Sequence, residues 1–129
     1  MPNPTIEWGP LDSVADNSVC RIKWVLLTAD PIGTAIALPE FADKTWVIGA
    51  NAGDGFGGAT CSLKGRNLTT EAAVVLNKAA TGATATAVAA GVIATIENPL
   101  YVYPELTSVG AGATVTVTLT ARRPNILRH

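Results

Sequence analysis

The sequence contains few of the residues that carry out chemistry. Its 129 residues include one histidine, His129, two cysteines, Cys20 and Cys61, and no CxxC motif. A structural zinc site or a histidine-rich metal enzyme needs several such ligands, and catalysis needs a base or nucleophile beside its partner group. There is also no closely spaced pair of carboxylates and no serine-centred elbow. We therefore expect a protein that is not an enzyme and that binds no metal and no cofactor.

Charge of either sign is also scarce. Ten acidic and nine basic residues leave a formal net charge of −1, which gives no reason to expect a nucleic-acid partner or binding to an anionic membrane. Residues 79–96 carry no charge, but they are mostly Ala, Thr and Gly, so we reject a membrane span. The first residues, Met1-Pro2-Asn3-Pro4, lack the basic and apolar regions of a secretory signal, and we expect none.

The clearest pattern that is present lies in residues 110–123. Val115, Val117 and Leu119 alternate with four threonines from Thr114 to Thr120. Successive side chains of a strand point to opposite faces, so this pattern predicts a half-buried antiparallel strand with its threonines outward. We expect the rest of the fold to be organised around it.

Short apolar runs separated by Gly and Pro predict eight or nine strands, and hence an all-β fold: an antiparallel β-sandwich, jelly-roll-like, with an extended N-terminal arm. Both cysteines lie in predicted strands and are expected to be small buried side chains, with a single disulfide left open. The predicted strand at residues 19–29 is apolar on both faces near its end, at Val25 and Leu27. This predicts that its end is covered by other parts of the protein. Residues 70–82 fit a helix or a strand, and we favour a strand at 73–77. The predicted inward set is Ile22, Trp24, Leu26, Trp46, Ile48, Cys61, Leu63, Val75, Ile93, Val115, Val117 and Leu119.

The loop at residues 51–58 has four glycines in eight residues. It lacks the GK[ST] motif and following helix of a phosphate cradle, and Asp54 alone supplies too few oxygens for calcium. We expect a hairpin connection in which Phe56 caps one end of the sandwich.

The two termini differ in charge and flank a central domain at 19–123. We predict an extended arm at 1–18, which is proline-rich and acidic, and a basic tail at 124–129. These termini are either exposed to solvent or bind neighbouring subunits. The candidate contacts with other subunits, in the termini and in the domain, are Trp8, Asp12, Asp16, Tyr101, Tyr103, Arg122, Arg123 and Arg128.

Three motifs carry a resemblance to a known group of proteins. They are Gly55-Phe56-Gly57-Gly58-Ala59-Thr60-x-x-Leu63-x-Gly65, then Tyr101-Val102-x-Pro104, then Gly110-x-Gly112-x-Thr114 before the closing strand that ends in arginine. Over roughly residues 44–123 the chain resembles small virion proteins of tailed bacteriophages. The resemblance implies a capsid decoration (cement) or other head-associated protein that assembles as a dimer or trimer on the shell.

From this resemblance we expect the major capsid protein as partner, self-association, and a place on the capsid exterior after synthesis in the host bacterial cytoplasm. The arm and tail would bridge capsomers, with arginines contacting carboxylates of the shell or of a neighbour's Asp12 or Asp16. Two alternatives remain: a carbohydrate-binding β-sandwich module that uses exposed aromatic side chains, and a minor neck or tail protein.

Overall fold

A computed structural model describes residues 1, 3–8, 19–38 and 41–122. These residues form ten strands. They are β1 (Thr5–Trp8), β2 (Val19–Leu27), β3 (Ile36–Ala37), β4 (Asp43–Ile48), β5 (Thr60–Arg66), β6 (Val74–Val75), β7 (Thr86–Ala87), β8 (Gly91–Thr95), β9 (Tyr101–Thr107) and β10 (Thr114–Arg122).

The strands form two antiparallel sheets that pack together as a β-sandwich, as predicted. Sheet 1 has the order β1-β2-β10-β4-β8; sheet 2 has the order β3-β9-β5-β6, and β7 also pairs with β5. From β2 to β5, and again from β8 to β10, each strand lies in the opposite sheet from the strand before it. This alternation between two sheets is the winding of a jelly roll.

Strand β10 is the centre of sheet 1. Val117 lies opposite Trp24 of β2 on one side and Ile48 of β4 on the other. Its valines and Leu119 are fully buried, while Thr118 on the outer face is half-buried. The alternation of residues 114–120 is therefore confirmed for the inward side chains, whereas Thr116 on the outer face is buried, at 3% exposed.

The core between the sheets is built around two tryptophans. The rings of Trp24 and Trp46 stack with centroids 5.9 Å apart and an angle of 17° between planes. Each indole also has a polar partner, because Trp24 Nε1 donates to the Thr34 carbonyl at 2.9 Å and Trp46 Nε1 to Thr95 Oγ1 at 3.1 Å. A buried indole N–H without an acceptor would cost free energy, so these two bonds fix the ring orientations.

One member of the predicted core is misplaced. Val75 is only half-buried, and Leu76 is buried instead. Residues 74–75 do form a strand, as favoured above, but it is two residues long, and Leu76 N–H donates to the Leu63 carbonyl of β5 at 2.8 Å just beyond it. The apolar run itself did not indicate which of its residues faces inward.

The glycine-rich loop does not close a hairpin, so that prediction is wrong. It joins β4 of sheet 1 to β5 of sheet 2 and so crosses from one layer to the other. Gly57 and Gly58 have φ of +58° and +80°, conformations that favour glycine. Phe56 is half-buried and packs on the core, as expected for a residue that caps this end.

Asp54 ties the same loop to the central strand. Its carboxylate accepts hydrogen bonds from Thr116 N–H at 2.9 Å, Thr116 Oγ1 at 3.0 Å and Asn51 N–H at 3.1 Å. Because β4 has ended at this level, the carboxylate takes the place of a strand carbonyl for Thr116. The lone aspartate of the loop is a structural clamp.

Pro104 cannot donate to a strand ladder, which predicts an edge or a bulge at this position. In the structure β9 lies between β3 and β5, so it is not an edge strand of sheet 2. The Pro104 carbonyl accepts from Gly33 N–H at 2.9 Å, which places the Pro104 nitrogen on the side away from β5. On that side β3 pairs only with residues 101 and 102 and does not reach Pro104, so the missing N–H costs no ladder bond.

Both cysteines are buried and free, so the disulfide left open above does not form. Burial raises the pKa of the Cys61 thiol to about 12 and also raises the pKa of Cys20. Thiols with raised pKa values are poor nucleophiles, which agrees with a packing role.

Candidate interaction surfaces

The predicted contact residues do not form one site. Asp12, Asp16, Arg123 and Arg128 lie outside the described residues. The backbone of Trp8 lies opposite Cys20 in the sheet 1 ladder, and Arg122 lies opposite Val19 next to it, so these two positions share one end of sheet 1.

The predicted N-terminal arm is thus in part an edge strand of the sandwich. Residues 5–8 pair with β2, and the remaining stretch at 9–18 lies outside the described residues. An edge position suits a segment that follows Pro4, because an edge strand needs partners on one side only.

Tyr101 and Tyr103 lie on sheet 2, where they share the outer face of β9, as their spacing predicts. The Arg66 guanidinium carbon lies 5.8 Å from the centroid of the Tyr103 ring, and Lys64 Nζ lies 2.9 Å from Glu105 Oε1. The charged side chains of this face are therefore already matched by cation–π and ionic contacts within the chain.

The outer face of sheet 1 is different, because it exposes large apolar side chains. Val25 is 39% exposed, Leu27 42%, Val92 67% and Ile96 52%. The prediction that the end of β2 is covered is wrong for the described residues, since its apolar side chains face solvent. Val25 and Leu27 lie on β2, whereas Val92 and Ile96 lie at β8, so β10 and β4 separate two groups of exposed apolar side chains. Exposed apolar patches can mark interaction sites.

This face has a basic side as well. Arg21 and Lys23 of β2, with Thr5, Thr118 and Thr120, line a shallow groove of about 300 Å³. Across the sheet, one row runs from Lys23 through Thr118 and Val47 to Val92. Along this row the face changes from basic at Lys23 to apolar at Val92, while Val25 and Leu27 make the other end of β2 apolar.

A polar cleft of about 450 Å³ lies beside β5 and β6. Its lining includes Arg66, Asn67, Glu71, Glu97 and Asn98. Both carboxylates already accept hydrogen bonds: Glu71 from the backbone N–H groups of Asn67 and Leu68, and Glu97 from the Asn77 backbone at 2.8 Å and its amide at 2.6 Å. These bonds hold the pKa of each carboxyl below its usual value.

A buried lysine closes one end of the core. Lys44 is 2% exposed, and its Nζ donates to the Phe41 carbonyl at 2.7 Å and to Asn98 Oδ1 at 2.8 Å. Burial lowers the pKa of this amine, and the nearby Asp43 opposes the shift. The sequence alone did not predict the burial of Lys44, although Lys44 has the same two-residue spacing as the inward Trp46 and Ile48.

Within the described part of the chain, no group of three or more His, Cys, Asp or Glu side chains is placed to hold a metal ion. The same residues include no helix of the length and hydropathy needed to cross a membrane. Comparisons with protein-family models, with curated proteins and with solved structures gave no match.

Proposed function

We propose that this chain is a bacteriophage virion structural protein, a capsid decoration (cement) protein that binds the shell and stabilises it through subunit contacts. The observation that carries the proposal is the outer face of sheet 1, which exposes the apolar side chains of Val25, Leu27, Val92 and Ile96. A protein that clamps neighbours needs such a surface, because burial of apolar side chains supplies most of the free energy of association.

The fold and the motifs support this proposal. Jelly rolls are common in viral shells, which is support by analogy of fold alone. The motif at residues 55–65 builds the crossing loop and most of β5, and the motif at 110–114 leads into β10. Residues that resemble those of phage virion proteins therefore build the scaffold of the sandwich.

The proposed mechanism uses the two ends of one face, the outer face of sheet 1, for different contacts. At the basic end, Arg21 and Lys23 bind carboxylates of the major capsid protein. Arg122 lies on the same outer face at the end of β10, opposite Asp43 of β4. The apolar side chains near β8 contact the second neighbour, and water is excluded from this contact. Distributing the contacts in this way lets one small domain bridge two neighbours.

Particles that lack the chain test the proposal. We expect virions from a phage with this gene deleted to lose infectivity or release DNA at a lower temperature than the parent. Purified full-length chain added back should restore the parent temperature. A variant with Arg21 and Lys23 both replaced by Gln should restore it less well, and one with Lys64→Gln, on the other sheet, should restore it fully. Particles that are equally stable with and without the chain would contradict the proposal.

A carbohydrate-binding module is the second candidate, and the polar cleft beside β5 favours it. Arg66, three asparagines and two carboxylates line a space of a size that suits a small ligand. Against it, Trp46 is fully buried and Tyr103 lies under Arg66, so neither offers a free aromatic platform. Binding on a glycan array that is lost in Arg66→Ala would favour this candidate, and a silent array would dispose of it.

A further inference from the structure

We propose that the N-terminal segment, defined as residues 3–8, pairs with β2 of a second copy of this chain, so that neighbouring copies exchange their β1 strands. The inference rests on the proposed function for the place where copies meet, the shell, and it deepens that function by naming a contact between subunits. The second copy is the partner because the edge of β2 already accepts this segment within one chain.

The binding site for the segment is contained in residues 20–34. The antiparallel ladder between β1 and β2 sets Thr5 opposite Lys23 and continues to the end of β1. Beyond the ladder, Thr34 Oγ1 donates a hydrogen bond to Asn3 Oδ1 at 3.1 Å. A segment supplied by another copy would therefore find each of these partners on one β2 and the turn that follows it.

The segment is held more weakly than a central strand. Strand β1 is the outermost strand of sheet 1, so its backbone pairs with β2 alone. Ile6 lies opposite the inward Ile22 and is still 40% exposed. The ion pair between the Met1 nitrogen and Asp30 Oδ1, at 2.6 Å, is solvent-exposed and adds little stability. The segment can therefore leave β2 while β2 keeps its pairing with β10.

The connection between β1 and β2 is longer than pairing within one chain requires. Trp8 lies opposite Cys20, and paired residues of adjacent strands have Cα atoms about 5 Å apart. A hairpin closes such a gap with about two to five residues, whereas residues 9–18 separate these strands. A connection of this length extends to about 33 Å, which is close to the diameter of a domain of this size. It is therefore long enough to place β1 on the β2 edge of a neighbour.

Exchange forms the same strand contacts as pairing within one chain, so it changes little except the path of the connection. A short connection holds a segment near its site at an effective concentration on the order of 1 mM. Dilute chains therefore keep β1 on their own β2. Copies fixed side by side on a shell meet one another at a concentration of this order, and there exchange competes.

Disulfide trapping between two singly substituted full-length chains tests the inference. Thr5→Cys and Lys23→Cys are at exposed positions that lie opposite each other in the ladder, at a Cα spacing that a disulfide spans. The native Cys20 and Cys61 are buried, so the introduced thiols are the accessible ones among the described residues. A C-terminal tag on the Lys23→Cys chain distinguishes the mixed dimer from like dimers on a non-reducing gel.

We expect oxidation of the two variants mixed at about 1 mM to give the mixed dimer, because β1 of one chain then pairs with β2 of the other. Val74→Cys, at a site 70% exposed on sheet 2, replaces Lys23→Cys in the matched control. The mixed dimer should be about ten-fold or more above this control, which measures random collisions.

A shortened connection is the second control. Replacing residues 9–18 by Asn-Gly in the Thr5→Cys chain still closes a hairpin of β1 and β2 but does not reach a neighbour. The mixed dimer should then fall to the level of the Val74→Cys control. Circular dichroism verifies that each variant is folded.

Two results would overturn the inference: a mixed dimer no more abundant than in the Val74→Cys control, or one that the shortened connection leaves unchanged. Neither depends on the virion. A protein that stabilises particles but gives no mixed dimer would refute this inference and leave the proposed function standing. Exchange in a protein that binds no particle would do the reverse.

Discussion

Replacing Trp46 by alanine is expected to lower the free energy of unfolding by about 4 kcal/mol. The side chain is fully buried, stacks on Trp24 at 5.9 Å and donates to Thr95 Oγ1. The substitution removes the ring contacts, leaves a cavity between the sheets and leaves the hydroxyl of Thr95, which is 6% exposed, without its donor. Urea unfolding followed by circular dichroism measures the change.

Two further variants separate the causes of this loss. Trp46→Phe keeps an aromatic ring against Trp24 but removes the N–H donor, so it should cost about 1–2 kcal/mol. Val74→Ala, at a site 70% exposed, should change stability by less than about 0.5 kcal/mol. A Trp46→Ala protein as stable as Val74→Ala would show that the two tryptophans do not form the centre of the core.

Replacing Lys44 by alanine is expected to cost about 3 kcal/mol. It removes a buried aliphatic stem and the donor for both the Phe41 carbonyl and Asn98 Oδ1. Lys44→Met should cost less than half as much, because it fills the same space and removes an ammonium whose burial is itself unfavourable. Equal losses in the two variants would contradict this explanation and assign the whole effect to the hydrogen bonds.

The pH dependence of Lys44 has a defined sign. Burial lowers the folded-state pKa below the ordinary 10.5, so between the folded pKa and 10.5 the unfolded chain binds more protons than the folded chain. Below the folded pKa both states are protonated and the penalty of burial is fully present. The wild type should therefore gain stability relative to Lys44→Met as the pH rises from the folded pKa toward 10.5. The raised thiol pKa of Cys61 acts in the opposite direction, but it is common to both proteins and cancels in the comparison.

The sequence was sufficient to predict the sandwich because its strongest pattern is local. Alternation at residues 114–120 predicts that one face of β10 points into the core, and the inward Val115 and Val117 are buried as that alternation requires. The same rule places Tyr101 and Tyr103 together on one face. Alternation with a period of two depends only on strand geometry. It therefore predicts which side chains face inward even when the pairing of the strands is not known.

The sequence did not predict which of the two sheets each successive strand joins. The glycine loop has the composition of a hairpin, and only the pairing of β4 with β8 and of β5 with β9 shows that it crosses between sheets. Likewise, apolar residues on both faces of β2 predict burial, whereas its outer face is uncovered among the described residues. The charge-free stretch at 79–96 does not show from its sequence that Val92 lies on the exposed face of an edge strand, β8.

Quantitative mass spectrometry of purified virions tests the central claim most directly. A decoration protein should be present at on the order of hundreds of copies per particle, in fixed ratio to the major capsid protein, because it occupies equivalent positions over the shell. About a dozen copies or fewer would assign the chain to the neck or tail, and its absence from purified virions would contradict the proposed function altogether.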